Sequence, residues 1–249
     1  MSVVYALLFF FSGTLFASFA FVLADRIPAH ETILGRSRCD SCRHPLRLFE
    51  VLPLLGYLLV RGRCRHCGAK VSFTHVLVEL AGGLLFAACY LHAGLTLETV
   101  AAVVLVFVMS VESLSDLRAQ VVIDRIWIAG IVPVAVIRLL QGDLLPHLFA
   151  SGVLFLAMAA IGLLGRIAFK KEALGGGDVK LYLFIGFVLT WDEGLLSLFL
   201  ASFAGFLFGV LGKRRGVEIP LVPFLFAGVL AAYFWGSDLF AWYLRLLGA

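Results

Sequence analysis

Two carboxylates and four thiols carry the chemistry available to this chain. Asp178 follows three glycines in Leu174-Gly175-Gly176-Gly177-Asp178-Val179-Lys180, between two long apolar runs. Without Cβ atoms, Gly175, Gly176 and Gly177 permit positive φ and let a second backbone approach, so the expected turn holds an extended peptide beside Asp178. The apolar stretch that follows, 179–191, has 13 residues. That makes about 20 Å of helix against a hydrocarbon core of about 30 Å. Asp178 is therefore expected somewhat below a membrane surface, where an ionisable group is tolerated only beside protein or a water-filled cavity. The plainer alternative is a glycine-rich loop with a snorkelling Asp at a helix start. A phosphate-cradling loop does not fit, because the Gly-Lys-Ser/Thr ending is missing.

A second acid stands in Glu112-Ser113-Leu114-Ser115-Asp116-Leu117-Arg118, at the end of another apolar run. Glu112 and Asp116 are four apart, so a continuous helix puts both on one face. If Asp116 and Asp178 approach closely, the pair shares a proton and titrates as a unit. The ionised member can then draw a proton from water attacking a carbonyl while the protonated one donates. Asp124 reads as a solvated interfacial acid. Glu79, one or two turns inside an apolar run, requires a cavity or a partner.

The thiols are Cys39-Asp40-Ser41-Cys42 and Cys64-Arg65-His66-Cys67, separated by 21 residues. Two such knuckles suit a tetrahedral tetracysteine zinc site, each tight turn presenting two thiolates to one ion. Two disulfides are the alternative, disfavoured if the loop faces a reducing compartment. Arg neighbours of three of these cysteines favour thiolates. Between the knuckles, residues 51–60 are apolar but too short to span, and are expected to pack on the membrane face or within the module.

The elements that must position these groups are membrane helices. With 62% hydrophobic and 14% charged residues, the 249-residue chain is far too apolar for a soluble domain. The predicted fold class is an all-α polytopic membrane protein. Apolar runs near 3–24, 72–91, 97–115, 121–140, 147–165, 179–191, 194–211 and 219–235 predict about eight transmembrane helices, with a small zinc-binding module between the first two. The tail 241–249 is expected as an interfacial or peripheral helix. Of the 20 Lys and Arg, 18 fall in or beside the loops after runs 1, 3, 5 and 7, including Lys170, Lys171 and Lys213-Arg214-Arg215; Arg138 and Arg245 are the exceptions. These loops are thus predicted cytoplasmic, with Asp116 and Asp178 at one boundary. The net charge of +4 reports topology and implies no nucleic acid. The expected division is residues 1–24 as first membrane helix, 25–71 as cytoplasmic tetracysteine module and 72–249 as membrane-embedded aspartyl protease domain.

The paired Cys-x-x-Cys motifs, Asp116 with Asp124 eight residues on, Gly-Gly-Gly-Asp-Val-Lys, Arg61-Gly62-Arg63-Cys64 through Val78-Glu79-Leu80, and Pro223-Phe224-Leu225 together resemble bacterial type IV prepilin peptidases, of the GxGD type. The resemblance covers nearly the whole chain. It implies Asp116 and Asp178 as the catalytic pair, Gly175, Gly176, Gly177 and Lys180 as active-site loop, and Cys39, Cys42, Cys64 and Cys67 as ligands of a structural Zn2+. It further implies S-adenosyl-L-methionine as methyl donor, prepilins and pseudopilins of type IV pilus and type II secretion systems as protein substrates, lipid as surroundings, and the bacterial inner membrane as location. Glu79 and Glu112 are candidate acids of a substrate or methyl-donor pocket. Two departures stand out: Ala17-Ser18-Phe19-Ala20-Phe21 replaces Gly-Ser-Phe-x-Asn, and Val122-Ile123-Asp124 replaces Ile-Pro-Asp. The lost Asn bears on methyl transfer more than on proteolysis. A transporter with a structural zinc loop is the alternative from another class, but its path of acids should continue through the opposite halves of the spans, where no buried acid is read. Intramembrane proteases of presenilin or preflagellin type lack the tetracysteine loop.

Overall fold

The computed structural model describes residues 2–170, 174–211 and 220–247. The basic residues Lys171 and Lys213-Arg214-Arg215 lie outside them. Among the described residues there are ten helices and no strand, with two isolated bridges at Arg38–Pro45 and Arg63–Lys70. The helices are α1 (Ser2–Arg26), α2 (Leu48–Val51), α3 (Leu55–Leu59), α4 (Thr74–Ala93), α5 (Leu97–Ala119), α6 (Asp124–Gln141), α7 (Leu144–Phe169), α8 (Gly176–Val188), α9 (Trp191–Leu211) and α10 (Val222–Leu247).

The eight long helices fall on the eight apolar runs. Six of them, α1, α4, α5, α7, α9 and α10, are long and apolar enough to cross a membrane. The other two differ for physical reasons. With Asp124, Arg125 and Arg138, α6 carries three charges, while the 13 residues of α8 are too few to span. The tail expected as an interfacial or peripheral helix is helical as far as it is described, and it continues α10 unbroken to Leu247. Residues 241–247 have no Gly or Pro to end the helix. The short apolar stretch between the knuckles forms α2 and α3, with Leu48, Leu55 and Leu58 exposed.

The chain divides into two compact units, residues 1–114 and 115–249, the boundary falling inside α5. In the first unit α1 lies against α4. Small residues permit this approach, for a Cβ on Gly13 would strike the Gly82 carbonyl and one on Gly82 would strike Ala17. Below that contact Phe21 is buried, its ring 4.2 Å from that of His75. In the second unit α8 is the inner element, touched by α6, α7 and α9. Its Leu181, Tyr182, Phe184 and Ile185 are fully buried.

Candidate active site

The glycines before Asp178 serve packing. Gly175 caps α8 with φ −66° and ψ 138°, and none of Gly175, Gly176 and Gly177 has positive φ. The positive φ that these glycines permit is not used; Gly176 and Gly177 already belong to the first turn of the helix. Closeness explains two of the three. A Cβ on Gly177 would lie 2.6 Å from Cβ of Val122, and one on Gly175 would lie 2.9 Å from Oδ2 of Asp178. Gly176 faces open space. Asp178 is half-buried, and its N–H donates to the Gly175 carbonyl at 3.1 Å.

Asp116 stands on the last turns of α5, which is continuous from Leu97 to Ala119, with Glu112 one turn earlier and buried. Its Oδ2 accepts the Val222 N–H at 2.9 Å, with the Leu221 N–H also directed at the carboxylate. The donors open α10, so an acid on one helix caps another. The connector that leaves α5 after Asp116 packs through Val122 on Gly177, the residue before Asp178, which brings the two predicted acids into one neighbourhood. Between them the connector turns at Gln120, φ 53°, where Ser115 Oγ donates to the Val121 carbonyl at 2.7 Å. This presents Val122 to Gly177.

Asp124 is not merely solvated, which corrects the expectation for it. Its Oδ2 accepts Lys180 Nζ at 2.9 Å, and its Oδ1 accepts Trp127 Nε1 at 3.1 Å. Lys180 thus ties the first turn of α8 to the start of α6. Both partners are about half exposed, 50% and 47%, so the pair sets orientation more than stability.

The four cysteines converge, with Sγ atoms all within 4.8 Å of one another. Each knuckle is the same turn. The Cys39 N–H reaches the His44 carbonyl at 3.0 Å and the Cys64 N–H the Ala69 carbonyl at 2.8 Å, while Arg43 and Gly68, each one past its knuckle, take φ 57° and 73°. Sulfurs at about 2.3 Å from a tetrahedral ion stand about 3.8 Å apart. Here Cys39–Cys67 is 3.8 Å and Cys42–Cys64 is 4.0 Å, so the cluster fits a metal ion of that class. The thiols act as a set: backbone N–H groups of Cys67 and His66 hold Cys64 down at about 7. Although the His44 N–H draws Cys42 down, desolvation and the neighbouring sulfurs push it up to about 12.

Glu79 has a partner. Buried in α4, it accepts the Leu54 N–H at 2.8 Å through Oε2, holding the corner between α2 and α3 where Leu54 sits at φ 61°. It also lines a cavity of about 820 Å³ with Ser18, Phe21, Asp25, Tyr57 and His75. Arg26 shapes one wall, its guanidinium donating to the Thr32, Ile33, Gly35 and Arg36 carbonyls at 3.3–3.5 Å.

Reasoning from sequence missed the Leu221 and Val222 donors, which no local pattern marks, and the role of Arg138. The latter did leave a signal, a basic residue inside an apolar run and away from the basic loops.

Two family models match the chain: the bacterial peptidase A24 N-terminal domain over residues 11–93 and the type IV leader peptidase family over residues 100–210. Curated relatives named prepilin leader peptidase/N-methyltransferase are similar over most of its length. The one from Bacillus subtilis is 32% identical over 97% of this chain and 98% of its own. That from Myxococcus xanthus is 36% identical over 83% of this chain and 63% of its own. That from Pseudomonas aeruginosa is 30% identical over 88% and 78%. No solved structure matches the chain. Both domain models in sequence order, together with a full-length relative, place this multi-pass membrane protein in the type IV leader peptidase family.

Proposed function

We propose that this protein is an aspartyl endopeptidase that removes the basic leader of type IV prepilins and pseudopilins at the cytoplasmic membrane face, and then N-methylates the new terminus. The observation that carries the proteolytic reading is the packing of Val122 on Gly177, which sets two acids 62 positions apart in sequence, Asp116 on α5 and Asp178 on the short α8, in one neighbourhood. Their interacting carboxyls supply a base and an acid at one place. The ionised member takes a proton from the water that attacks the scissile carbonyl. The other donates toward the carbonyl oxygen and then the leaving nitrogen. The Val222 N–H, donating to Oδ2 of Asp116 at 2.9 Å, orients that carboxyl for either role of the pair. Gly176, which faces open space two residues before Asp178, leaves room for a peptide backbone, and Lys180 holds this end of α8 against α6.

Cys39, Cys42, Cys64 and Cys67 would hold a structural Zn2+, whose role is to close the polar segment 25–71 into a folded module. S-adenosyl-L-methionine, when bound, supplies an electrophilic methyl group. The cavity under α1 and α4 has the volume of a small-molecule site, and its acids Asp25 and Glu79 suit a cationic donor. Glu112 is proposed as a further acid of the substrate or methyl-donor pocket. The distribution of Lys and Arg supports a cytoplasmic face for the module and the acids, and the bacterial inner membrane as location. The partition into a first membrane helix, a metal module and a protease domain from residue 72 belongs to the same proposal. No basic groove is invoked for nucleic acid; the partners are pilin-type proteins and lipid.

The test is to incubate the purified protein with a prepilin, with and without S-adenosyl-L-methionine, and weigh the products. Leader loss in both reactions, with one methyl group added only when the donor is present, is expected. An uncut prepilin contradicts the proteolytic reading, and a mature pilin that is never methylated restricts the protein to peptidase.

A further inference from the structure

A helix of 13 residues inside an apolar bundle cannot locate itself by matching the bilayer, so something must hold α8 in place. After the last helical bond of α8, the carbonyls of residues 186–188 lack intrahelical partners, yet each finds a donor. The Leu189 N–H reaches Ile185 O at 2.8 Å. His147 Nδ1 faces Gly186 O at 3.3 Å, a contact to a carbonyl that requires the proton on that nitrogen. Arg138 closes the remaining two, Nε to Phe187 O at 3.0 Å and Nη2 to Val188 O at 2.8 Å. A further donor, Ser151 Oγ, reaches Leu183 O at 2.7 Å.

Arg138 is itself held. Only 2% exposed, it donates through Nη1 to Gln141 Oε1 at 3.2 Å and pairs with Asp143 Oδ2 at 3.5 Å; His147 Nε2 lies 3.6 Å from the same oxygen. The guanidinium is a planar fork whose donors meet two successive carbonyls at once, and its positive charge suits a helix C-terminus. Where Gly186 meets Ser151, a Cβ would strike the α7 backbone, so the helices touch with no slack at the same level. Ten residues separate Asp178 from Val188, about 15 Å at 1.5 Å per residue. A rigid helix carries the setting of one end to the other.

We propose that Arg138, assisted by His147, is the positioning residue of the reaction: by clamping the C-terminal carbonyls of α8 it fixes the depth and rotation at which Asp178 meets Asp116. This rests on the reading of Asp178 as catalytic. Arg138 touches neither substrate nor reacting atoms; its effect travels through the helix.

The experiment compares full-length Arg138→Met, Arg138→Lys and Asp178→Asn by leader-cleavage kinetics and by amide hydrogen exchange, all in the same lipid. A misplacement of about 1 Å at the reacting centre costs about a hundredfold, so Arg138→Met is expected to lower kcat by that order with KM nearly unchanged. Exchange should rise in α8 but not in α9 or α10. Arg138→Lys, whose single ammonium cannot fork across two carbonyls, should show a smaller loss of kcat with the fold intact, and it carries the test if the Met variant does not fold. Parent kcat and parent α8 exchange in the Lys and Met variants overturn the proposal, as does exchange that rises equally in all helices. Cleavage by Asp178→Asn at the parent rate instead sinks the catalytic reading beneath it. An inactive Asp178→Asn beside a fully active Arg138→Met sinks the positioning role alone.

Discussion

Replacing Gly177 by Ala asks whether the glycines before Asp178 are needed for packing or for conformation. In the first turn of a helix at negative φ, alanine should by propensity be favoured by about 1 kcal/mol over glycine. The surroundings reverse the sign. The new Cβ would lie 2.6 Å from Val122 Cβ and 2.9 Å from its Cγ2. Carbon atoms rest about 3.5–4.0 Å apart, so the start of α8 and the 120–123 connector must separate by about 1 Å. Overpacking of this kind costs about 1–3 kcal/mol. A displacement of that size beside Asp178 is worth about a hundredfold in rate. The assay is kcat for leader removal alongside thermal unfolding in detergent. Gly177→Ala should lose about two orders of magnitude in kcat while remaining folded, and Val122→Gly in the same chain should restore part of it by vacating the contested space. A Gly177→Ala enzyme as active as the parent, or a double variant no better than the single, would refute the packing argument.

Three further outcomes are expected. Gly176→Ala meets no neighbour within 4 Å, so it should raise stability by up to about 1 kcal/mol while raising KM for the peptide; a loss of stability would show the turn is packed more tightly than described. Elemental analysis should find about one zinc per chain, and a strong chelator should increase proteolysis within 25–71 while helical circular dichroism stays nearly constant; metal-free protein with four free thiols under reducing conditions would exclude the site. Glu79→Gln retains an acceptor for the Leu54 N–H but loses its charge, so methylation should fall more than cleavage; equal loss of both would make the residue structural, and Glu79→Ala should cost about 1–3 kcal/mol by leaving that N–H unpaired.

Much of this arrangement could be read from sequence because the membrane restricts it. Long apolar runs have few folds open to them, so the eight long helices lie where hydropathy put them. The shortness of α8 was also legible, being a matter of counting. Thiol spacing gave the knuckles directly, since each is a local turn. The failures share one cause, which is that they depend on groups distant in the chain. Nothing near Gly177 announces Val122, 55 residues earlier, so its missing side chain was assigned to backbone freedom instead of contact. Asp116 and the Val222 N–H are 106 residues apart, and Arg138 lies 49 and 50 residues from the carbonyls it binds. For Asp124, the Lys180 partner is 56 residues away.

The central claim is that Asp116 and Asp178 together cleave the leader. The direct measurement is the mass of a prepilin after incubation with purified Asp116→Asn and Asp178→Asn, each with helical content and zinc equal to the parent. Neither variant should yield mature pilin under conditions where the parent converts all of it. Mature pilin from either variant at the parent rate would contradict the account.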